Sequence, residues 1–310
     1  MIATTKNGRR SRPHARPRAV RASFCALLFC LSGAAFAQAG ADTGTGAPLY
    51  SSKASVDWSR RVIVVDIGLD IAASGLRLPA GRLEAERMLE RDLPALAQEA
   101  LFGLPVDSYR DVEATVQDGT IDVNALLAIP RAARRASAAF TKDMGTFRAV
   151  YEFRLSDIAA LYARGDAVAA RSAPPLSWRP SRAYTGIVVY AKGELPVHGE
   201  GVTGRAEPCL FPRIYDETMK PFLDKGFVDG DVVVGEGPAG YADSLGIEAS
   251  RRVGDDPLRV MAIELFGDGR TDYVISRDDA LRALALSENR ELIARGRVLI
   301  VIDEIERALD

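Results

Sequence analysis

The sequence predicts an α+β protein of two domains, each a small mixed or antiparallel sheet packed with one or two helices. Three observations carry this. Residues 62–71 and 146–155 alternate apolar and polar side chains, the period of a half-buried strand. Between them, residues 81–101 repeat apolar side chains at helical spacing. Residues 257–303, PLRVMAIELFGDGRTDYVISRDDALRALALSENRELIARGRVLIVID, read as two short strands joined by a Gly-Asp-Gly turn, a capped helix and a last strand of nearly unbroken apolar residues. With 310 residues, 47% apolar and 26% charged, the chain is long enough for two domains that each bury a core.

The first 37 residues read differently. They hold seven basic residues from Lys6 to Arg21 and no acid, then the apolar run Ala22–Leu31, then Ala35-Phe36-Ala37. This is the pattern of a secretory signal peptide (residues 1–37) cleaved after Ala37, which predicts a periplasmic mature protein. The apolar run is too short to span a bilayer, and no later stretch reaches about 20 residues, so no transmembrane span is expected. Arg9-Arg10 is not followed by the apolar pair of a twin-arginine signal, and Leu28-Phe29 before Cys30 is not a lipidation site. Loss of the seven basic charges takes the formal charge from −2 to −9. An acidic chain without a basic stripe excludes nucleic acid as the main partner.

Residues 38–55, rich in Ala, Gly, Thr and Ser, are expected to be a disordered linker. A first domain is expected over residues 56–163. It opens on Trp58 and the strand RVIVVDIGLDI, with Ile63, Val65, Ile67, Leu69 and Ile71 on one face. A helix follows over 81–101, with Leu89, Leu93, Leu96 and Ala97 in its apolar stripe and Pro94 set to kink it. Residues 112–121 are expected as a strand, and Asp122 as the N-cap of a helix running to about Ala139. The strand TFRAVYEFRL and a short helix to about Ala163 close the domain.

Pro174-Pro175 and Pro180 mark residues 164–182 as a linker. The second domain, 183–306, starts with YTGIVVYA, apolar on both faces and so central in its sheet. CLFPRIYDE supplies another strand, and Val232–Val234 a strand-like piece between Gly-Asp turns. In 257–303, Ser276 has Asp279 at capping-box spacing, and Leu281, Leu284 and Ala285 are expected to form the inner face of the helix.

No catalytic, cofactor-binding or metal residue stands out. Gly235-Glu236-Gly237-Pro238-Ala239-Gly240 fits G-x-G-x-x-G after Val232–Val234, but no second strand ending in an acid follows at βαβ distance, so it reads as a flexible loop. Asp229-Gly230-Asp231 and Asp268-Gly269-Arg270-Thr271-Asp272 lack the ligand set of a calcium loop and read as turns. His198, the histidine of the mature chain, sits in a Gly-rich polar loop with no second ligand for zinc and no G-x-S-x-G elbow for a triad. Cys209 is left alone after cleavage and reads as a small buried hydrophobe. The pairs Asp216-Glu217, Asp255-Asp256 and Asp303-Glu304 are adjacent, so on a strand their side chains face opposite ways. Trp58 and Trp178 are expected to seal the edges of their own cores.

The succession YTGIVVYAKG, PCLFPRIYDE, GDDPLRVMA, DYVISRDDA and RVLIVID resembles the domain of flagellar assembly protein T (FlgT) and related small outer-membrane lipoproteins of Gram-negative envelopes. The first domain, with Trp58 ahead of its long strand, is similar to the N-terminal domain of those proteins. The resemblance spans about Val56 to Asp303. It implies a non-enzymatic exported protein, without cofactor or catalytic residues, that works by contact with envelope or flagellar basal-body proteins. Separately, edge strands of the second domain offer pairing between copies of the chain, and so a homo-oligomer. The chain departs from that pattern in lacking a lipobox and in an expanded loop from His198 to Glu207. The other expectation the residues support is a periplasmic small-ligand-binding module using the Gly-rich loops 198–207 and 235–240.

Overall fold

The computed structural model describes residues 48–77, 81–163, 174–177 and 179–309. The signal-peptide segment and Trp178 lie outside the described residues, as do 38–47 of the expected leading linker and 164–173 of the expected linker 164–182. Residues Gly46–Asp310 form one compact unit.

Its first segment contains β1 (Tyr50–Asp57), β2 (Val62–Asp70), α1 (Ile71–Ser74), α2 (Arg82–Leu96), α3 (Gln98–Phe102), α4 (Val112–Gln117), α5 (Val123–Ala128), β3 (Arg134–Phe140), β4 (Thr146–Arg154) and α6 (Leu155–Leu161). The second contains β5 (Ile187–Tyr190), β6 (Leu195–Pro196), β7 (Thr203–Gly204), β8 (Ile214–Asp216), β9 (Pro221–Leu223), α7 (Gly230–Gly235), β10 (Gly240–Ala242) and α8 (Ile247–Val253). It continues through β11 (Leu258–Phe266), β12 (Asp272–Ile275), α9 (Arg277–Leu284), α10 (Ser287–Ala294), β13 (Val298–Val301) and β14 (Glu306–Leu309). The architecture is α+β with two domains, as expected.

The first sheet is antiparallel in the order β14-β1-β2-β4-β3. The alternation in β2 and β4 is realised: Ile63, Val65, Ile67 and Leu69 are fully buried, and Phe147, Ala149, Tyr151 and Phe153 face the same core. The helices cover that face through Ala85, Leu89 and Leu93 of α2 and their neighbours. The opposite face is wet and laced with ion pairs, Arg148 with Asp66 and Glu152 with Arg60 and Arg134. The second sheet is mixed, in the order β10-β13-β5-β11-β12-β8-β9. β5 is central and parallel to both neighbours, and Ile187, Val188 and Val189 are buried, the pattern its two apolar faces required. One face of this sheet is closed by α8, which packs Ala249 and Val253 on Val188, Leu299 and Val301. α8 approaches so closely that a Cβ on Gly186 would stand 2.5 Å from the Val253 backbone.

Several expectations are corrected. Residues 50–55 belong to β1 and not to a disordered linker, because β2 on one side and β14 on the other supply the pairing that Ser and Lys cannot earn by burial. Residues 112–117 are helical and not a strand: Asp111 caps α4 by accepting from the Ala114 N–H at 2.8 Å, and Val112 and Thr115, three apart, bury one side. Asp122 is an N-cap as expected, but its helix stops at Ala128. Pro130 turns the chain through a 3-10 segment, and Arg134–Phe140 leave as the edge strand β3. The helix expected over 81–101 is interrupted after Leu96, two residues beyond Pro94, and restarts at Gln98. Val232–Val234 lie in α7 and not in a strand. Ser276 does cap α9, accepting from the Asp279 N–H and donating to its carboxylate, yet the buried face is Ala280 and Ala283, with Leu281, Leu284 and Ala285 only half-buried. The second domain does not end as a sheet of its own, since the chain's last strand, β14, pairs with β1 of the first.

The two segments are therefore joined through the backbone. Besides the β1–β14 ladder, the N–H groups of Leu210 and Phe211 donate to the carbonyls of Pro105 and Val106 at 3.0 and 2.9 Å, and one core cluster runs through both segments.

Candidate functional site

The turn between β1 and β2 packs the first segment against the second. Asp57 builds it, its carboxylate accepting from Ser59 Oγ at 2.7 Å and from the Arg60 N–H at 2.9 Å. The Trp58 N–H donates to the Ile305 carbonyl at 2.9 Å, which ties the turn to the strand entering β14. Arg61 closes it with a left-handed backbone, φ 56°. Trp58 is buried, and its ring meets that of Tyr241 edge-on at 5.7 Å. It thus fastens the two segments together instead of sealing only its own core.

Beside this turn lies a cleft of about 380 Å³, walled on one side by Trp58 and Arg61 and on the other by β10, the loop Asp243–Gly246 and α8. Arg252 of α8 forms its floor. That guanidinium donates from Nε to the Val298 carbonyl at 2.8 Å, from Nη1 to the Glu236 carbonyl at 2.9 Å and from Nη2 to the Gly237 carbonyl at 2.8 Å. Desolvation lowers its pKa to about 10, so at neutral pH it is a half-buried cation. The G-x-G-x-x-G loop is organised around it. Its carbonyls face the arginine, and the N–H groups of Glu236 and Gly237 both donate to the Val232 carbonyl at 2.8 Å as the C-terminal cap of α7. A phosphate loop presents N–H groups to its ligand at the start of a helix. This loop follows a helix, and these two N–H groups are already used.

The other flagged residues have separate places. His198 is not free in its loop: Nδ1 lies 2.5 Å from Glu264 Oε2, its N–H donates to the Leu265 carbonyl, and its ring stands edge-on to Phe266. The loop 198–207 rests on β11 and Arg270, whereas 235–240 rests on Arg61 and Arg252, so the two Gly-rich loops serve different neighbourhoods. Cys209 is buried, with its thiol pushed up to about 12 by burial. Its N–H donates to Tyr241 Oη, which donates to the Cys209 carbonyl. Asp216 closes a turn by accepting from the Thr218 and Lys220 N–H groups, Asp256 pairs with Arg182, and Asp303 accepts from the Gly193 N–H. Among the described residues, no group of three or more His, Cys, Asp or Glu could hold a metal.

Asp272 is the residue that sequence reasoning misplaced most. Expected as the end of a turn, it is fully buried on β12, where the first segment's loop 105–110 docks. Its Oδ1 accepts from the Arg213 N–H at 2.9 Å, and its Oδ2 is buried without a partner. Burial pushes the carboxyl up to about 7, against the opposing pull of Arg213. Next to it, Ser108 Oγ donates to the Phe266 carbonyl, and the Gly269 N–H donates to the Ser108 carbonyl. The Gly-Asp-Gly-Arg turn is thus a contact between segments. The missed signal is its position at the head of DYVI, where every residue is buried.

No curated protein matches the chain. Two family models do, and they come from successive parts of one protein; the flagellar resemblance remains a matter of the sequence blocks alone. Residues 50–161 are similar to the N-terminal domain of Treponema pallidum Tp0624, and residues 186–304 to its second domain, in that order.

Proposed function

We propose that this protein is a non-enzymatic component of the bacterial envelope, exported by its first 37 residues, that acts by contact in an assembly, the flagellar basal body being the first to examine. The carrying observation is the way the segments are clasped. The last strand returns to the first sheet, and Trp58 locks onto Tyr241, so that two domains present their surfaces in one fixed arrangement. Such a body suits a scaffold. Its outer sheet face, crossed by the Arg148–Asp66 and Glu152 ion pairs, offers a polar docking surface. The FlgT-like blocks favour the same reading.

Fractionation, cross-linking with affinity capture, and deletion test it together. The expected results are a periplasmic or membrane-associated mature chain beginning at Gln38, recovery of a discrete envelope or motor partner, and a defect in motility or envelope integrity on deletion. Free fractionation without a partner, together with intact motility and envelope, contradicts the proposal. A second reading, a small-ligand-binding module, is favoured by one observation, the cleft beside Arg61.

A further inference from the structure

Among the described residues, five buried side-chain polar atoms have no hydrogen-bond partner, and three of them sit on the β1–β2 turn: Trp58 Nε1, Arg61 Nε and Arg61 Nη2. All three are N–H donors. Both residues line the same cleft. Buried donors without acceptors cost about 1–3 kcal/mol each, more on a charged group, so natural structures retain them where something else supplies the acceptor. Arg61 also holds a left-handed backbone that a non-glycine residue adopts only at a cost. Backbone strain of this kind gathers at ligand clamps. The strained turn aims the guanidinium at Gly237, where a Cβ would collide with Nη1.

The rest of the cleft describes the ligand. Arg252 adds a second, half-buried positive charge, its own nitrogens each engaged by a carbonyl. Asp243, at the rim, is the one acid among the lining residues, and its carboxylate accepts from Ser244 Oγ. Glu236 lies within Coulombic reach of both guanidinia from the neighbouring loop. The remaining wall combines Ser59 and Ser244 with the apolar surfaces of Trp58, Tyr241, Leu299 and Ile305, and Ile247 stands 80% exposed at the mouth. A volume of about 380 Å³ falls at the small-molecule end of binding pockets.

We propose that this cleft binds a small organic oxyanion, a carboxylate or phosphate monoester on a short apolar body, with Arg61 and Trp58, whose unpartnered N–H groups lie just beneath its surface, shifting to donate to the oxyanion and Ile247 covering the tail. A planar guanidinium beside an indole N–H matches two oxygens of such a group. The site is independent of the envelope-assembly role and stands or falls without it.

The full chain, labelled with nitrogen-15, is titrated with hexanoate and separately with hexyl phosphate at millimolar concentration, against sodium chloride at matched ionic strength and against hexylamine. The indole N–H signal of Trp58, distinguished from that of Trp178 by Trp178→Phe, reads the site directly, and thermal denaturation reads the linked stabilisation. The expected result is a saturable shift of the Trp58 signal and a raised Tm with at least one of the two anions, and neither with hexylamine or chloride. Which anion acts separates the carboxylate from the phosphate source. Ile247→Glu, at an exposed position that leaves folding intact, and Arg61→Gln should each weaken binding at least about tenfold. No indole shift with either anion, equal binding by hexylamine, or undiminished affinity in Ile247→Glu overturns the proposal.

Discussion

Buried Asp272 and half-buried Arg252 are ionisable groups with opposite solutions. Arg252 satisfies itself on three carbonyls, while Asp272 has one oxygen bonded and one stranded. Replacing Arg252 with Met removes three donations, to the Val298, Glu236 and Gly237 carbonyls. Urea denaturation should show a loss of about 3 kcal/mol or more. A change below about 1 kcal/mol would mean that water replaces the guanidinium freely. For Asp272, the folded carboxyl is raised to about 7 while the unfolded one stays near its ordinary value of about 3.9. Between those limits the folded state binds the extra proton, so this group's contribution to stability is most favourable in acid and is lost as pH rises toward about 7. The upper bound is roughly 4 kcal/mol. Asp272→Asn should flatten the decline of Tm between pH 5 and 7 and raise Tm at pH 8; parallel profiles for the two proteins would show that the buried carboxyl is not linked to folding.

At the scale of elements, the clasp formed by β14 is the feature most open to test. Truncation after Asp303 strips β1 of its outer partner and leaves an unpaired edge. Light scattering should then report concentration-dependent association, and Tm should fall; an unchanged monomer of unchanged Tm would reduce β14 to a frayed tail. This strand also shows where sequence reading ends. The strands β2, β4, β5 and β13 were legible, because Ile63 to Leu69 alternate and Ile187 to Val189 are apolar on both faces, patterns that burial alone enforces. So was the Ser276 cap, a local hydrogen bond. Strands β1, β3 and β14 were not, because Ser51, Lys53, Arg134 and Arg307 are polar and owe their extended form to partners distant in sequence. α4 and α7 were misread because Val112, Val116 and Val232–Val234 are β-branched residues held in helices by tertiary packing. The cleft was half legible: Trp58 drew notice, but its meeting with Tyr241 depends on the β1–β2 turn crossing between segments, which no local pattern encodes.

At the scale of the molecule, two segments similar to successive domains of one protein share a core and a closing strand. Their mutual placement is thereby set by hydrogen bonds and packing, and a surface on one keeps a fixed relation to a surface on the other. Across the wet face of the first sheet, Lys53, Asp66, Val150 and Ser137 lie in one row from β1 to β3. That row is a natural place for contact with an assembly, since Lys53 and Ser137 are both exposed. The most direct measurement is photo-cross-linking in native cells from an unnatural residue placed at Lys53 or at Ser137. A scaffold role predicts a discrete adduct with an envelope protein, or with a second copy of the chain, from at least one of these positions. Irradiated cells that yield only the uncross-linked chain from both would contradict it.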